Sequence, residues 1–173
     1  LGSPSEPAHP DLVKPFQERI GSLMYLCTSS RPDVVYPVHL LCRCLARPTP
    51  ALIEETDHIL AYLSRHRSVG LTYAQDARRL RGFSDASWET RNSTSGWVTM
   101  CNSAALTWGS RKQAAISLSS CEAEIVALSE ATKDMVYLRR IVDGIAPCSI
   151  VDPAELHTHN IGARDTPYKT IRL

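Results

Sequence analysis

Residues Leu118 to Val142 read LSSCEAEIVALSEATKDMVYLRRIV, and this stretch decides the fold. Ser119 and Glu122 stand at capping-box spacing, so the hydroxyl can accept from a free N–H of the first turn while the carboxylate reaches back. Behind that start, Glu124, Leu128, Ala131, Met135, Leu138 and Val142 follow at intervals of 4, 3, 4, 3 and 4 residues, which places all six on one helical face. The pattern predicts a long amphipathic helix from Ser120 to about Gly144. Glu122 falls with Val126, Ser129 and Lys133 on the wetter side and has a structural task in the cap. Glu124 instead heads the apolar stripe, where a charge is costly without a partner or a metal. Two readings stay open from the pattern: a core-facing functional acid, or a solvated first-turn acid favoured by the helix dipole.

Outward from the helix the period shortens. Ala115 to Leu118 is a short apolar run. Trp97 to Cys101 and Ala105 to Trp108 are β-rich runs joined by Asn102-Ser103-Ala104, a hairpin signal. Leu80 to Ala86 predicts a strand entering a turn at Gly82-Phe83-Ser84-Asp85-Ala86-Ser87-Trp88. Asp85 then sits at a strand end, where a simple turn aspartate is the alternative to a functional acid. Leu71 to Tyr73 is β-prone, Gln75 to Arg79 reads as a loop, and a last strand is expected near Leu156. Before Val69 the pattern is helical. Ile20, Leu23, Met24 and Cys27 predict a helix over Phe16 to Thr28, with Pro15 in its first turn. A second helix is expected from Asp33 to about Ala46, with Pro37 kinking it or delaying its start. A third begins near Ala51, carrying Leu52, Ile59, Leu60 and Leu63 on one face. Residues 1–14, with three prolines, read as a mobile arm.

The chain has 173 residues, 43% of them hydrophobic and 21% charged, so a packed core is attainable and disorder is not the default. No apolar run approaches the roughly 20 residues needed to span a bilayer. The start has no basic-then-apolar leader, which predicts an intracellular fragment of a longer chain. Net charge is +1. A nucleic-acid face would therefore need local clustering, for which Arg111-Lys112 and Lys133, Arg139 and Arg140 are the candidates, against the plainer reading of a solvated surface. Trp88, Trp97 and Trp108 sit in β-rich contexts that favour packing over base stacking. The six cysteines form no CxxC pair and read as small apolar residues rather than a disulfide framework. His157-Thr158-His159 has the spacing of zinc ligands on a strand, but no further Cys or His pair stands near it.

Six stretches then fall in order: Ile20-Gly21-Ser22-Leu23-Met24-Tyr25-Leu26, Arg31-Pro32-Asp33, Ser84-Asp85-Ala86-Ser87-Trp88, Ser93-Thr94-Ser95-Gly96-Trp97, Leu106-Thr107-Trp108-Gly109-Ser110-Arg111-Lys112-Gln113 and Leu118-Ser119-Ser120-Cys121-Glu122-Ala123-Glu124. In this order and spacing, from about Pro15 to Asp165, the chain resembles copia-type retrotransposon polyproteins. The resemblance implies that residues 15–75 are the thumb-side end of a reverse transcriptase, without the Tyr-x-Asp-Asp motif of polymerisation. It implies that residues 80–173 are a ribonuclease H-like α/β domain with a mixed sheet, incomplete at its C-terminal end. Such domains cut the RNA strand of RNA–DNA hybrids with acids that hold two Mg2+ ions. By motif match, Asp85 is the first acid and Glu124 the second, both catalytic and metal-binding, with Arg111 and Lys112 as candidate nucleic-acid contacts. The third acidic position is occupied by His159, ahead of Asn160. No acid matches the fourth, because Asp165 lies at the wrong spacing and Tyr168 to Leu173 carries none. Histidine offers nitrogen and no negative charge to balance two divalent ions, so the expectation is weak or absent hybrid cleavage. The alternatives are a silent nucleic-acid-binding remnant or a protein-interaction domain. An incomplete fold further predicts exposed apolar surface and self-association.

Overall fold

The computed structural model describes residues 9–74, 79–88, 92–145 and 154–158. The chain divides into two compact units, Leu1–Leu71 and Thr72–Leu173.

The first unit is helical: α1 spans Pro10–Ser29, a single 3-10 turn covers Pro32–Val34, α2 spans Val35–Cys42 and α3 spans Pro50–Arg65. Phe16, Ile20, Leu23 and Cys27 line the buried side of α1 and pack with Val34, Val38, Leu41, Leu52 and Ile59. Cys27 behaves as a small core residue, its thiol donating to the Met24 carbonyl at 3.3 Å. The expected arm over residues 1–14 is corrected in part, since residues 10–14 are already helical. Pro10 presets φ for a first helical position, and the half-buried Leu12 extends the stripe one turn before Phe16. Pro15 is tolerated inside the helix at the loss of one backbone bond. The second helix is shorter than its pattern, because Arg43 and Cys44 bond back three residues to Leu40 and Leu41 and tighten the chain into turns. Pro37 falls in the first turn of α2, where its missing N–H has no partner to lose.

Arg31 ties this unit together. Its Nε and Nη2 donate to the two Asp33 carboxylate oxygens at 3.0 and 2.8 Å, and its Nη1 donates to the His66 carbonyl at 3.0 Å. The Tyr62 hydroxyl also donates to Asp33, at 2.9 Å, and the guanidinium lies 5.7 Å from the Tyr62 ring centre. The turn before α2 is thereby fastened to the end of α3. The Arg31 guanidinium, helped by Tyr62, holds the Asp33 carboxyl below its ordinary range.

The second unit is a mixed α/β domain: β1 (Arg81–Ser87), β2 (Thr94–Cys101), β3 (Ala104–Lys112), α4 (Ser120–Ile145) and β4 (Glu155–Thr158). The sheet order is β3-β2-β1-β4. The first three strands are antiparallel neighbours, and β4 lies parallel to β1 after the α4 crossover. This is the mixed-sheet arrangement expected of a ribonuclease H-like domain. Asn102 and Ser103, at φ 51 and 66°, form the two-residue turn between β2 and β3, the backbone signature of a type I′ hairpin. Leu71 to Tyr73 joins no strand. It is tied to the hairpin by the Tyr73 hydroxyl, which donates to Ala105, and by the Ala74 N–H, which donates to Asn102.

Register sets one face of the sheet. Ser84 pairs with Trp97 and Trp97 with Gly109, while Gly82 pairs with Thr99 and Thr99 with Thr107. Directly paired residues share a face. That face meets α4, since Thr107 donates to Asp134 and a Cβ at Gly82 would collide with Met135. The helix answers with the buried Ala123, Ala127 and Ala131, and lower down with Met135 and Leu138 packed on Leu80 and Ala154. Small residues on both sides let α4 lie close to the strands.

Gly109 lies under the Trp97 indole, so a Cβ there would overlap the ring. Gly109→Ala is expected to cost roughly 1–3 kcal/mol in denaturant unfolding, the usual range for overpacking. In the first unit, a depressed Asp33 pKa means stability that is present above its ordinary value of 3.8 and lost as pH falls through the lowered value. Thermal melts should show Asp33→Asn less stable than the parent at neutral pH, with the gap closing in strong acid.

Candidate functional site

The site forms where β1, β4 and the first turns of α4 meet. The helix start is built as its sequence suggests: the Glu122 N–H donates to Ser119 Oγ at 3.2 Å. The Glu122 carboxylate reaches one residue further back than a simple box, accepting from the Leu118 N–H at 2.6 Å. Held this way, Glu122 is structural.

Glu124, on the opposite face, is 5% exposed. Its Oε2 accepts from the Thr158 hydroxyl at 3.2 Å, and because Thr158 pairs with Ser84 on β1, the Glu124 carboxyl lies beside the stretch of strand that carries Asp85. Asp85 itself is exposed, and its Oδ1 accepts from the Ala86 N–H at 2.9 Å. Burial, then the hydrogen bond and negative charge of Asp85, push the Glu124 carboxyl above its ordinary range, against smaller opposing effects from Thr158 and Ala86. Glu124 is thus buried rather than solvated, and Asp85 is near enough to act on its charge. Two like acids this close share a proton or attract a cation, because both cannot remain charged at low cost.

The remaining candidates are placed differently. His159 lies outside the described residues. His157 stacks on Phe83 with ring centres 5.0 Å apart and lies 3.6 Å from Glu155, which gives it a packing role on the sheet. Among the described residues, no three His, Cys, Asp or Glu side chains cluster to hold a metal. Arg111 and Lys112 are successive strand residues and so point to opposite faces. Arg111 turns to α4, 3.6 Å from Glu130 and 6.0 Å from the Trp97 ring centre. Glu130 also holds Lys133, at 2.8 Å, and Asp143 lies 3.6 Å from Arg139. Arg111, Lys133 and Arg139 are thus each set beside an acid. Trp97 is a packing residue, as its context suggests. Trp88 departs from that expectation: it is 49% exposed, its indole N–H donating to the Ser117 carbonyl at 3.1 Å.

Thr158 and Gln113 are contributors that sequence reasoning missed. Thr158 lies between two histidines that drew attention as ligands. Gln113 closes a quoted motif, but its partners lie on elements the motif does not contain.

No protein-family model matches the chain, and no solved structure matches it. Among curated proteins it is 36% identical over 129 residues to the secreted RxLR effector protein 161 of Plasmopara viticola, covering 72% of this chain and 91% of that protein. It is 34% identical over 129 residues to a putative transposon Ty5-1 protein of Saccharomyces cerevisiae, covering 71% of this chain and 42% of that protein. It is 31% identical over 132 residues to the retrovirus-related Pol polyprotein from transposon TNT 1-94 of Nicotiana tabacum, covering 74% of this chain but only 10% of that polyprotein. Among the described residues, no helix is long and apolar enough to cross a membrane.

A raised Glu124 pKa means stability that is present at low pH and lost as pH rises through the folded value. Glu124→Gln should therefore melt at a higher temperature than the parent at neutral pH. The two should converge below the ordinary glutamate value of 4.5.

Proposed function

This chain belongs to the copia-type retrotransposon Pol polyproteins, and from that membership we propose that its second unit is a ribonuclease H-like domain that engages RNA–DNA hybrids and holds Mg2+ at Asp85 and Glu124. The observation that carries the reading is the buried Glu124, bonded to Thr158 beside the strand that bears Asp85. Their chemistry fits the ion: hard carboxylate oxygens are the donors Mg2+ prefers, and it commonly uses one or two of them and keeps several waters. When bound, the ion supplies Lewis acidity and an activated water for phosphodiester hydrolysis.

The protein's own share is positional. Asp85 presents an exposed carboxylate from the end of a central strand. Glu124 is held by the Thr158 hydroxyl, and the Ala86 N–H donates to Asp85 itself. A cation would offset both the desolvation of Glu124 and the negative charge of Asp85 beside it. Two carboxylates suffice for one hard ion. A two-ion site of the family type needs further acids, and the sequence places His159 where the third is expected. We therefore propose that cleavage by this chain is weak.

A second reading is a binding domain without catalysis. It draws on the relative covered over 91% of its length, a secreted effector.

Cleavage of a labelled RNA–DNA hybrid in Mg2+ separates the two. The proposal expects slow cleavage by the parent, faster cleavage by His159→Asp and none by Glu124→Gln. Cleavage by Glu124→Gln at the parent rate would remove Glu124 from the mechanism. Silence in parent and His159→Asp alike, with hybrid binding that still weakens as salt rises, would favour the binding domain.

A further inference from the structure

Gln113 follows the last residue of β3 and is 6% exposed. Its carboxamide is used at both ends. Nε2 donates to Ser95 Oγ at 2.9 Å and to the Ala123 carbonyl at 2.8 Å, while Oε1 accepts from the Ser117 hydroxyl at 2.8 Å. Its backbone is fixed as well: the N–H donates to the Ser93 carbonyl at 2.8 Å, and its carbonyl accepts from Asn92 Nδ2 at 3.1 Å.

The partners give this knot its meaning. Ser95 lies on β2 and pairs with Ala86, the residue after Asp85. Ala123 lies on α4 immediately before Glu124. Ser117 belongs to the link between β3 and α4, and its carbonyl also receives the Trp88 indole N–H. One buried side chain thus joins the strand beside Asp85 to the helical turn that bears Glu124. The helix–sheet seam there is made of small residues, Ser84 and Ser95 against Ala123 and Ala127. Such side chains interlock little, so packing alone fixes the helix azimuth weakly. Directional hydrogen bonds in a buried site fix it strongly.

We infer that Gln113 is the positioning residue that sets Glu124 against Asp85. It touches neither carboxyl and acts through Ser95 and Ala123. Its consequence for metal binding rests on the proposed function, whereas its placement of Glu124 beside the Asp85 strand does not.

The test is a set of double-mutant cycles between Asp85→Asn and Glu124→Gln, read as Tm at neutral pH in three backgrounds. Groups in contact give non-additive shifts, and separated groups give additive ones. The parent should be non-additive. Gln113→Met, which keeps the length and removes the hydrogen bonds, should be additive. Leu138→Ala, a core truncation lower on the same helix, should lower Tm while keeping the parent's non-additivity. Non-additivity retained in Gln113→Met would overturn the inference. If Gln113→Met does not fold, Gln113→Glu, which loses both donated bonds, is read in its place by the same criterion. Calorimetric titration with Mn2+ provides the second readout. Gln113→Met should weaken Mn2+ binding about tenfold or more, the scale of losing a residue that orients a ligand, and Leu138→Ala should not. A parent that binds no Mn2+ would sink the metal reading while the cycles still decide the role of Gln113.

Discussion

A buried acid, Glu124, bonds to Thr158 at the junction of a helix start and the central strand that carries the exposed Asp85, and the second unit's helix start and strands fix that placement. Asp85 reaches the junction because β1 runs between an antiparallel and a parallel neighbour and is held on both sides. Glu124 reaches it because Ser119 and Glu122 fix where α4 begins, so that the helical period carries the next acid inward. Thr158, at the end of β4, supplies the hydroxyl that makes burial tolerable. A buried carboxyl beside a like group is an unfavourable arrangement for stability alone. Such a perturbed acid is the physical reason to treat this junction as a candidate functional feature.

The sheet and helix around the pair follow from simpler rules. The Asn102-Ser103 turn sets the β2–β3 register, which places Gly109 under Trp97 and Thr107 beneath Asp134. Small residues along the seam bring α4 close, while the apolar anchor of Leu80, Met135 and Leu138 lies further along the helix. Packing and chemistry are therefore spatially divided, with the greasy end of α4 supplying adhesion and the polar end holding the site. In the first unit, the Arg31, Asp33 and Tyr62 knot does comparable work, and it gives the Arg31-Pro32-Asp33 motif a structural task.

What was legible in the sequence is what depends on neighbours along the chain. The α4 stripe and its cap follow from intervals of three and four, which also put Glu124 at the head of the stripe but left open whether it is buried or solvated. The hairpin follows from two β-rich runs around Asn102. The start of α1 was less legible, because Pro10 and Leu12 extend a helix whose composition resembles an arm. Leu71 to Tyr73 has strand-forming residues but no ladder, since its hydroxyl and one N–H satisfy the tie instead. Trp88 was misjudged because exposure at a strand end depends on where the chain turns. The role of Gln113 could not be read at all, since it arises only when β2, the link to α4 and α4 itself converge on one amide.

The most direct test of the central claim is a Mg2+ titration followed by carbon NMR of the side-chain carboxyls. The account predicts that the Asp85 and Glu124 resonances move together along one saturating curve, and that Asp85→Asn abolishes the movement of Glu124. Movement spread evenly over exposed acids such as Glu55 and Asp57, with Glu124 unmoved, would contradict it.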